Sequence, residues 1–249
     1  MSEIVAIINQ KGGTGKTTTS QNLGYGLAQK GKRVLFIDLD PQGNLTFSCG
    51  VNEFEYTLAD IIYQDVDIKE AIINVGKNLD LVPTSIDLAH TELFLSKAEE
   101  REYILSKALK KVKKNYDYII IDCQTSLSVL TINALTAASG IIIPLQLTIL
   151  SLKGLDLIVS TLEEVKGNLN KNVKILGVLP VMIDKRRKLT EEVIDIIKEN
   201  FDIPIYKSYI GQSVRVAEAP SFGKSVMEYA PNCKVAVNYK DFVKEFLKR

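Results

Sequence analysis

Short runs of apolar, often β-branched residues recur along the chain, and most are followed by a longer segment with helical periodicity. The predicted strands cover residues 4–8, 34–38, 79–83, 118–122, 140–145, 173–180 and 203–206. The predicted helices cover residues 16–30, 98–114, 127–139, 152–168, 189–200 and 235–248. Strands that are almost wholly apolar are typical of parallel sheets covered on both faces. The alternation therefore predicts an α/β fold, with a mostly parallel sheet and helices on both faces.

The composition limits the size of the fold and the kind of partner. With 249 residues and no linker or repeat, we expect a single domain over residues 1–249. Lysine and arginine total 31 and aspartate and glutamate 30, so nucleic-acid binding would need local basic patches. Three scattered cysteines and one histidine predict neither a disulfide framework nor a zinc site. No apolar run approaches the ~20 residues of a membrane span, so we expect a cytoplasmic protein.

A glycine-rich segment, KGGTGKTT at residues 11–18, joins the first predicted strand to the first predicted helix. In this position backbone N–H groups converge on an anion at the positive end of a helix. Lys16 is placed to reach the β and γ phosphates of a nucleotide, and the Thr17 hydroxyl is placed to hold Mg²⁺. The predicted nucleotide-binding residues of this phosphate loop are Lys11, Gly12, Gly13, Thr14, Gly15, Lys16, Thr17 and Thr18. The sequence thus predicts a P-loop NTPase.

The phosphate loop departs from the usual pattern at two positions. Gln10 stands where the pattern G-x-x-x-x-G-K-[ST] has its first glycine, and Lys11 adds a second lysine. Two interpretations of Lys11 stay open. It is either a solvated loop charge or a cation that neutralises phosphate from a second direction, including across a subunit interface.

Carboxylates follow two other predicted strands. Asp38 and Asp40 stand at the end of the second strand, where a period of two would put both side chains on one side of an extended chain. Asp122 ends the strand YIIID and has the form of a carboxylate that holds Mg²⁺ through water. The alternatives are a polar turn before Pro41 and, for Asp122, a helix cap. Because ligands bind at the carboxyl ends of parallel strands, we expect these residues beside the phosphate loop.

Several segments together resemble one family. KGGTGKTT resembles the deviant Walker A motif of the ParA/MinD group, and DLDPQGN, LTINAL, DKRRKL and VRVAEAPSFGKSV resemble the ParA/Soj branch of chromosome and plasmid partitioning ATPases. The resemblance implies an ATPase that uses ATP and Mg²⁺. It also implies an ATP-bound sandwich homodimer in which Lys11 reaches the nucleotide of the partner subunit. In this family Asp40 positions or activates the attacking water, and Asp38 lies in the Mg²⁺ surroundings.

The resemblance further implies two partners, non-specific DNA and a ParB-like centromere-binding protein, and hence a nucleoid-associated location. The candidate DNA-binding residues are Lys185, Arg186, Arg187, Lys188 and Arg215. A solvated basic face remains the alternative for them. We expect the nucleotide base to lie against two loops, with Met182 and Pro220 as apolar contacts.

Gln124 and Thr125 stand where members of the family usually have two prolines. Proline fixes φ and stiffens a turn, so we expect a more mobile loop here. This departure keeps open a second reading, a nucleotide-sensing adaptor with little turnover.

A membrane-cycling, MinD-like protein is a third reading. The last predicted helix carries apolar residues at helical spacing with lysines between them: Tyr239, Phe242, Val243, Phe246 and Leu247. No glycine- or serine-rich linker detaches this helix, so we expect it to pack on the sheet and to bind no membrane.

Overall fold

The structure is a computed structural model that describes residues 2–95, 98–183 and 189–249. Its strands are β1 Glu3–Ile7, β2 Val34–Leu39, β3 Ile73–Gly76, β4 Leu79–Val82, β5 Tyr118–Cys123, β6 Gly140–Gln146 and β7 Lys174–Val181. They form one sheet in the order β3-β4-β2-β5-β1-β6-β7. Neighbouring strands pair in parallel except β3 with β4. The predicted α/β fold with a mostly parallel sheet is confirmed.

Helices cover both faces of this sheet. They are α1 Lys16–Gln29, α2 Asn44–Ser48, α3 Leu58–Tyr63, α4 Asp87–Leu95, α5 Ile104–Lys110, α6 Val129–Ala137, α7 Ile149–Asn168, α8 Leu189–Asn200, α9 Val214–Glu218, α10 Val226–Tyr229 and α11 Lys234–Phe246, with 3₁₀ turns at Arg101–Tyr103, Lys113–Asn115 and Ala219–Phe222. Along β2, Leu35 and Ile37 belong to the core under α3, α5, α6, α7 and α8. Val34 and Phe36 belong to the core under α1, α10 and α11. The alternation along the strand thus builds two cores.

The register of the central strands places the candidate site. Asp38 on β2 pairs with Asp122 on β5, and Ile7 on β1 pairs with the same Asp122. Since these three strands are parallel neighbours, their carboxyl ends meet at one edge of the sheet. The loops that follow β1, β2 and β5 therefore begin side by side.

Two predicted elements differ in the structure. Residues 203–206 form no strand and make a single parallel bridge, Ile205 with Val178. Pro204 has no N–H group to donate, which limits the ladder to that bridge. The helix predicted over residues 98–114 is shorter, because only α5 is α-helical there and 3₁₀ turns flank it. Strand β3 lacked a sequence signal: it is a four-residue edge strand whose register with β4 is irregular.

Helix α11 packs its apolar face into the protein. Tyr239, Phe242, Val243 and Phe246 are buried in the core that α11 shares with α1, and Leu247 packs against it. The apolar residues on which the membrane reading depended are therefore engaged inside the fold. In the described part of the chain, no helix combines the length and the apolar character that crossing a membrane requires.

Candidate nucleotide-binding site

The phosphate loop lies between the end of β1 and the start of α1. Gly13 and Gly15 have φ of 71° and 76°, in the left-handed region that glycine adopts without strain. The Asn9 side chain accepts a hydrogen bond from the Lys11 backbone N–H at 2.9 Å and donates one to the Pro144 carbonyl at 2.6 Å. The loop is thereby fixed to both β1 and β6, with the N-terminus of α1 at its end.

A cavity of about 1230 Å³ opens above the phosphate loop. Gly12 through Thr18 line its floor, and Asp40, Met182 and Pro220 line other parts of its wall. Sequence positions more than two hundred residues apart thus meet in one space. Lys11, Asp38 and Asp122 are not among its lining residues.

Lys16 begins α1 and is buried under the loop. Burial lowers the pKa of its ammonium group, while the negative charges of Asp122 and Asp40 act in the opposite direction. The charged form of a buried lysine needs anionic partners. Lys16 therefore provides a positive charge inside the protein, directed at the floor of the cavity.

Asp122 lies within β5, one residue before its end, and is fully buried. Its Oδ1 accepts a hydrogen bond from the Ser20 hydroxyl at 2.9 Å, whereas its buried Oδ2 takes none from any described residue. Burial raises the pKa of this carboxyl to about 6, although Thr17, Ser20 and Lys16 each act to lower it. A buried acceptor without a donor, next to the Thr17 hydroxyl, fits a carboxylate that holds a water ligand of Mg²⁺.

Asp38 is fully buried, and its partners are protein groups. Its Oδ2 accepts hydrogen bonds from the backbone N–H and the hydroxyl of Thr46, at 2.8 and 2.7 Å, and its Oδ1 accepts one from the Asp40 N–H at 3.3 Å. Burial raises its pKa to about 7, and the negative charge of Asp122 adds to this. The placement of Asp38 in the Mg²⁺ surroundings stays a prediction, and in this structure Asp38 anchors α2.

Asp40 lies one residue beyond the end of β2, and the placement of Asp38 and Asp40 on one side of an extended chain stays a prediction. The chain turns at Pro41 and Gln42, where Asp40 Oδ1 accepts the N–H of Gln42 at 3.0 Å. Asp40 is half-buried and faces the cavity, whereas Asp38 is enclosed. The two carboxylates therefore lie in different environments.

Lys11 is exposed at the other end of the phosphate loop. Its Nζ donates a hydrogen bond to Oε1 of Gln146 at 3.3 Å, at the end of β6. It makes no ion pair with a carboxylate of the described residues. Its charge is therefore not neutralised by the described part of this chain, and the trans role of Lys11 stays a prediction.

The far wall of the cavity comes from the end of β7 and from the segment before α9. Met182 has a positive φ of 56°, which is uncommon for a residue other than glycine. Gly211 and Gln212 line the same wall as Pro220. The predicted base contacts Met182 and Pro220 thus share the cavity with the phosphate loop, and their contact with a base stays a prediction.

The loop after Asp122 is held by side-chain hydrogen bonds of Gln124, at a position where members of the family usually have proline. Gln124 Nε2 donates to the Ser128 hydroxyl at 2.6 Å and lies 3.4 Å from both carboxylate oxygens of Glu92 on α4. Gln124, Thr125 and Glu92 line the cavity. This loop is therefore in contact with α4 as well as with the site, and its expected mobility stays a prediction.

The structure describes one of the five candidate DNA-binding residues. Arg215 is exposed on α9 and forms a 2.7 Å ion pair with Glu218, which also accepts the Tyr229 hydroxyl at 3.1 Å. The run of Lys185, Arg186, Arg187 and Lys188 lies outside the described residues. DNA binding by these residues stays a prediction.

Four contacts at the site were missed by sequence reasoning. Ser20 holds Asp122, and a signal was available because it stands one turn after Lys16 on α1. Thr46, Glu92 and Gln146 gave no such signal, because their partners are distant in sequence or belong to elements that periodicity did not reveal.

A glycine-rich loop between β1 and α1, with a buried lysine and a strand-end aspartate beneath one cavity, defines the class of P-loop nucleotide-binding proteins. A family described as "AAA domain" matches residues 2–175. The sporulation initiation inhibitor protein Soj of Bacillus subtilis is 46% identical over 248 residues, covering 98% of each chain. The chromosome partitioning protein ParA of Caulobacter vibrioides is 40% identical over 251 residues, covering 99% of this chain and 94% of that one.

Similarity extends to solved structures. Cobyrinic acid a,c-diamide synthase from Mycobacterium smegmatis, with a bound ATP analogue and magnesium, superimposes with a TM-score of 0.87 at 34% identity. The match covers 100% of this chain and 95% of that one. The chain belongs to the ParA/Soj family of partitioning ATPases within the ParA/MinD group. Its identity with the chromosome partitioning protein ParA, 40%, exceeds its identity with the synthase, 34%.

Proposed function

We propose that this chain is a Mg²⁺-dependent ATPase that converts ATP and water to ADP and phosphate, and that residues 1–249 form one ATPase domain. Lys16 and the N–H groups of the phosphate loop bind the phosphates and stabilise their charge in the transition state. Asp40 positions or activates the attacking water. Met182 and Pro220 contact the base.

One observation carries this proposal. The phosphate loop, buried Lys16 and Asp40 line one cavity, and Asp122, with a carboxylate oxygen that has no donor among the described residues, lies at the same edge of the sheet. An isolated glycine turn would need neither the buried lysine nor the buried carboxylate. Both groups are costly to bury without charged partners, and a nucleotide with its metal would supply them.

Thr17 and Asp122 are the residues that would hold Mg²⁺. Among the described residues, no group of three or more histidine, cysteine or acidic side chains forms a metal site. Mg²⁺ in nucleotide sites takes most of its ligands from phosphates and water, so one hydroxyl and one carboxylate suffice. When bound there, Mg²⁺ would supply positive charge that offsets the negative charge of the phosphates during transfer.

We propose that two ATP-bound chains form a sandwich dimer and that Lys11 reaches the nucleotide of its partner. The supporting observation is that Lys11 is exposed, next in sequence to Gly12 of the cavity wall, and pairs with no carboxylate of the described residues. A cation supplied by a second subunit can raise the rate of phosphoryl transfer by ~10³ to 10⁵.

We further propose that the dimer binds DNA without sequence preference and cycles with a ParB-like, centromere-bound protein to segregate a replicon. Arg215 is the described residue for the DNA contact, and Lys185 to Lys188 are the others. Because each dimer presents the basic residues twice, ATP-driven dimerisation would switch DNA binding on.

The test has two parts. Phosphate release over many turnovers with Mg·ATP, compared with the Asp40→Ala variant, tests the ATPase. Retention of a random-sequence DNA fragment with Mg·ATP and with Mg·ADP, at two salt concentrations, tests the switch. Retention only with ATP and weakening steeply with salt supports partition. Nucleotide binding without turnover would favour the adaptor reading, and ATP-dependent liposome binding would favour the MinD-like reading.

A further inference from the structure

Two exposed aromatic rings meet on a part of the surface that the proposed nucleotide chemistry does not use. Tyr63 is the last residue of α3, and Phe94 lies in the last turn of α4. They are 58% and 55% exposed, and their ring centroids are 4.7 Å apart at an interplanar angle of 40°. Exposed aromatic side chains that cluster are characteristic of interaction sites, where they act as anchors.

Carboxylates lie on the same faces of both helices. Asp60 precedes Tyr63 by three residues on α3, and Asp87 precedes Phe94 by seven on α4, so each shares a helical face with its ring. Neither Asp60 nor Asp87 makes an ion pair with another described residue. We call these four residues the α3–α4 surface: Asp60, Tyr63, Asp87 and Phe94.

The charge of the surrounding chain has the same sign. The acidic residues in segments 51–70 and 85–102 are Glu53, Glu55, Asp60, Asp65, Asp67, Glu70, Asp87, Glu92, Glu99, Glu100 and Glu102. The basic residues in these segments are Lys69, Lys97 and Arg101. The whole chain, in contrast, has a net charge of +1. Three of these acids form ion pairs, Asp67 with Lys111, Glu100 with Lys107 and Glu102 with Arg101, and the other eight still give the region of the α3–α4 surface an acidic character.

A second aromatic pair shows what is unusual about the first. Phe222 stacks on Tyr229 with centroids 4.9 Å apart, and Phe222 is 62% exposed. The carboxylate beside that pair, Glu218, is neutralised by Arg215 at 2.7 Å and accepts the Tyr229 hydroxyl. Both pairs therefore contain an exposed ring, but of the two only the α3–α4 pair is accompanied by carboxylates without a described cation.

The α3–α4 surface is connected to the nucleotide cavity through α4. Glu92 stands two residues before Phe94 and lines the cavity, where Gln124 Nε2 approaches its carboxylate at 3.4 Å. Gln124 belongs to the loop that follows Asp122. A molecule bound to the rings would thus contact the helix that touches this loop.

We propose that the α3–α4 surface binds a basic segment of a partner polypeptide, with an apolar side chain of that segment packed on Tyr63 and Phe94. The carboxylates attract lysine and arginine and repel nucleic acids and anionic lipids, so charge complementarity selects the occupant. The surface lies outside the phosphate-binding residues, so binding requires no ATP turnover. Failure of this proposal and failure of the proposed ATPase are therefore separable.

The experiment uses the full chain and a fluorescent amphipathic peptide of about 18 residues, built from leucine and lysine at helical spacing. A matched peptide has glutamate in place of lysine. Fluorescence anisotropy should show binding of the lysine peptide only. The Tyr63→Ser/Phe94→Ser variant should weaken it at least about tenfold, because both anchors are removed.

Two further variants complete the test. Phe222→Ser removes a ring of similar exposure and should leave the affinity unchanged. Asp87→Asn should weaken binding and reduce its dependence on salt, and it avoids Asp60, which caps α3 through Thr57. Circular dichroism of each variant verifies that it is folded. Absence of lysine-peptide binding, equal binding of the glutamate peptide, or equal losses in the Phe222 and Tyr63/Phe94 variants would overturn the proposal.

Discussion

The two ends of the phosphate loop are five residues apart in sequence but lie in opposite environments. Lys16 is buried, and Asp122 and Asp40 lie close enough to affect its charge. Lys11 is exposed and donates one long hydrogen bond to Gln146. The Lys16 end is therefore complete within one chain, whereas the Lys11 end presents a cation without an anionic partner among the described residues. This difference supports a cis role for Lys16 and a trans role for Lys11.

The largest effect on ATP binding is expected from Lys16→Ala. It removes the buried cation under the phosphates and leaves Asp122 without its neighbouring positive charge, so ATP affinity should fall by at least about 100-fold. Isothermal titration calorimetry with Mg·ATP measures this. The matched control is Lys11→Ala at a protein concentration that keeps the chain monomeric, where affinity should change by less than about threefold. Equal losses in the two variants would remove the distinction between the two ends.

Asp40→Ala should lower the rate of ATP hydrolysis without lowering ATP affinity. Without the carboxylate that faces the cavity, phosphate release should slow by ~10² to 10⁴, the usual contribution of general acid–base catalysis. ATP affinity should stay within about threefold, because the phosphate loop is intact. A coupled assay of phosphate release, together with calorimetry, checks both values. An unchanged rate would show that a residue other than Asp40 positions or activates the attacking water.

Lys11→Ala should act on assembly. Sedimentation velocity with Mg·ATP should show loss of the dimer, with the dissociation constant raised at least about tenfold, because a charge-assisted contact to phosphate is lost. Gln146→Ala is the matched control: it removes the observed partner of Lys11 Nζ but keeps the charge, and it should still dimerise. Normal ATP-dependent dimerisation of Lys11→Ala would contradict the trans role.

The smallest effect concerns the buried carboxylates in the metal-free, nucleotide-free protein. Folding raises the pKa of Asp38 to about 7 and that of Asp122 to about 6, mainly through burial. The folded state therefore holds protons that the unfolded state has released, so the contribution of these two groups to stability is largest at low pH and is lost as pH rises through their folded pKa values. We expect the free energy of unfolding to fall by about 1 to 2 kcal/mol between pH 6 and pH 8.

Urea unfolding at several pH values measures this slope. Asp38→Asn should flatten it, whatever the variant does to absolute stability. Asp117→Asn is the control, because hydrogen bonding by the Arg33 backbone and the charge of Arg33 lower the pKa of Asp117. The contribution of Asp117 to stability decreases only when the pH is below 5. The Asp117→Asn variant should therefore leave the slope above pH 6 unchanged. A slope of the opposite sign would show that the two buried carboxylates are ionised at little cost.

Much of the fold could be predicted because its signals are local. The apolar runs of β2, β5, β6 and β7 and the helical periodicity of α1, α7 and α8 mark these elements, and the rule for parallel sheets places the loops after β1, β2 and β5 together. The short helices α2, α3 and α4 lacked a sufficient periodic run. The α3–α4 surface, built from two of these helices, was therefore absent from the predictions.

The sequence by itself determined the α/β fold, the glycine-rich phosphate loop and the presence of aspartates at two strand ends. Only the tertiary structure decided their environments: Asp38 is enclosed by Thr46, Asp122 keeps one oxygen without a donor among the described residues, and Lys11 meets Gln146, 135 residues away. The physical reason is that chain geometry and periodicity act over a few residues. Burial, charge neutralisation and hydrogen-bond partners depend instead on which distant elements pack together.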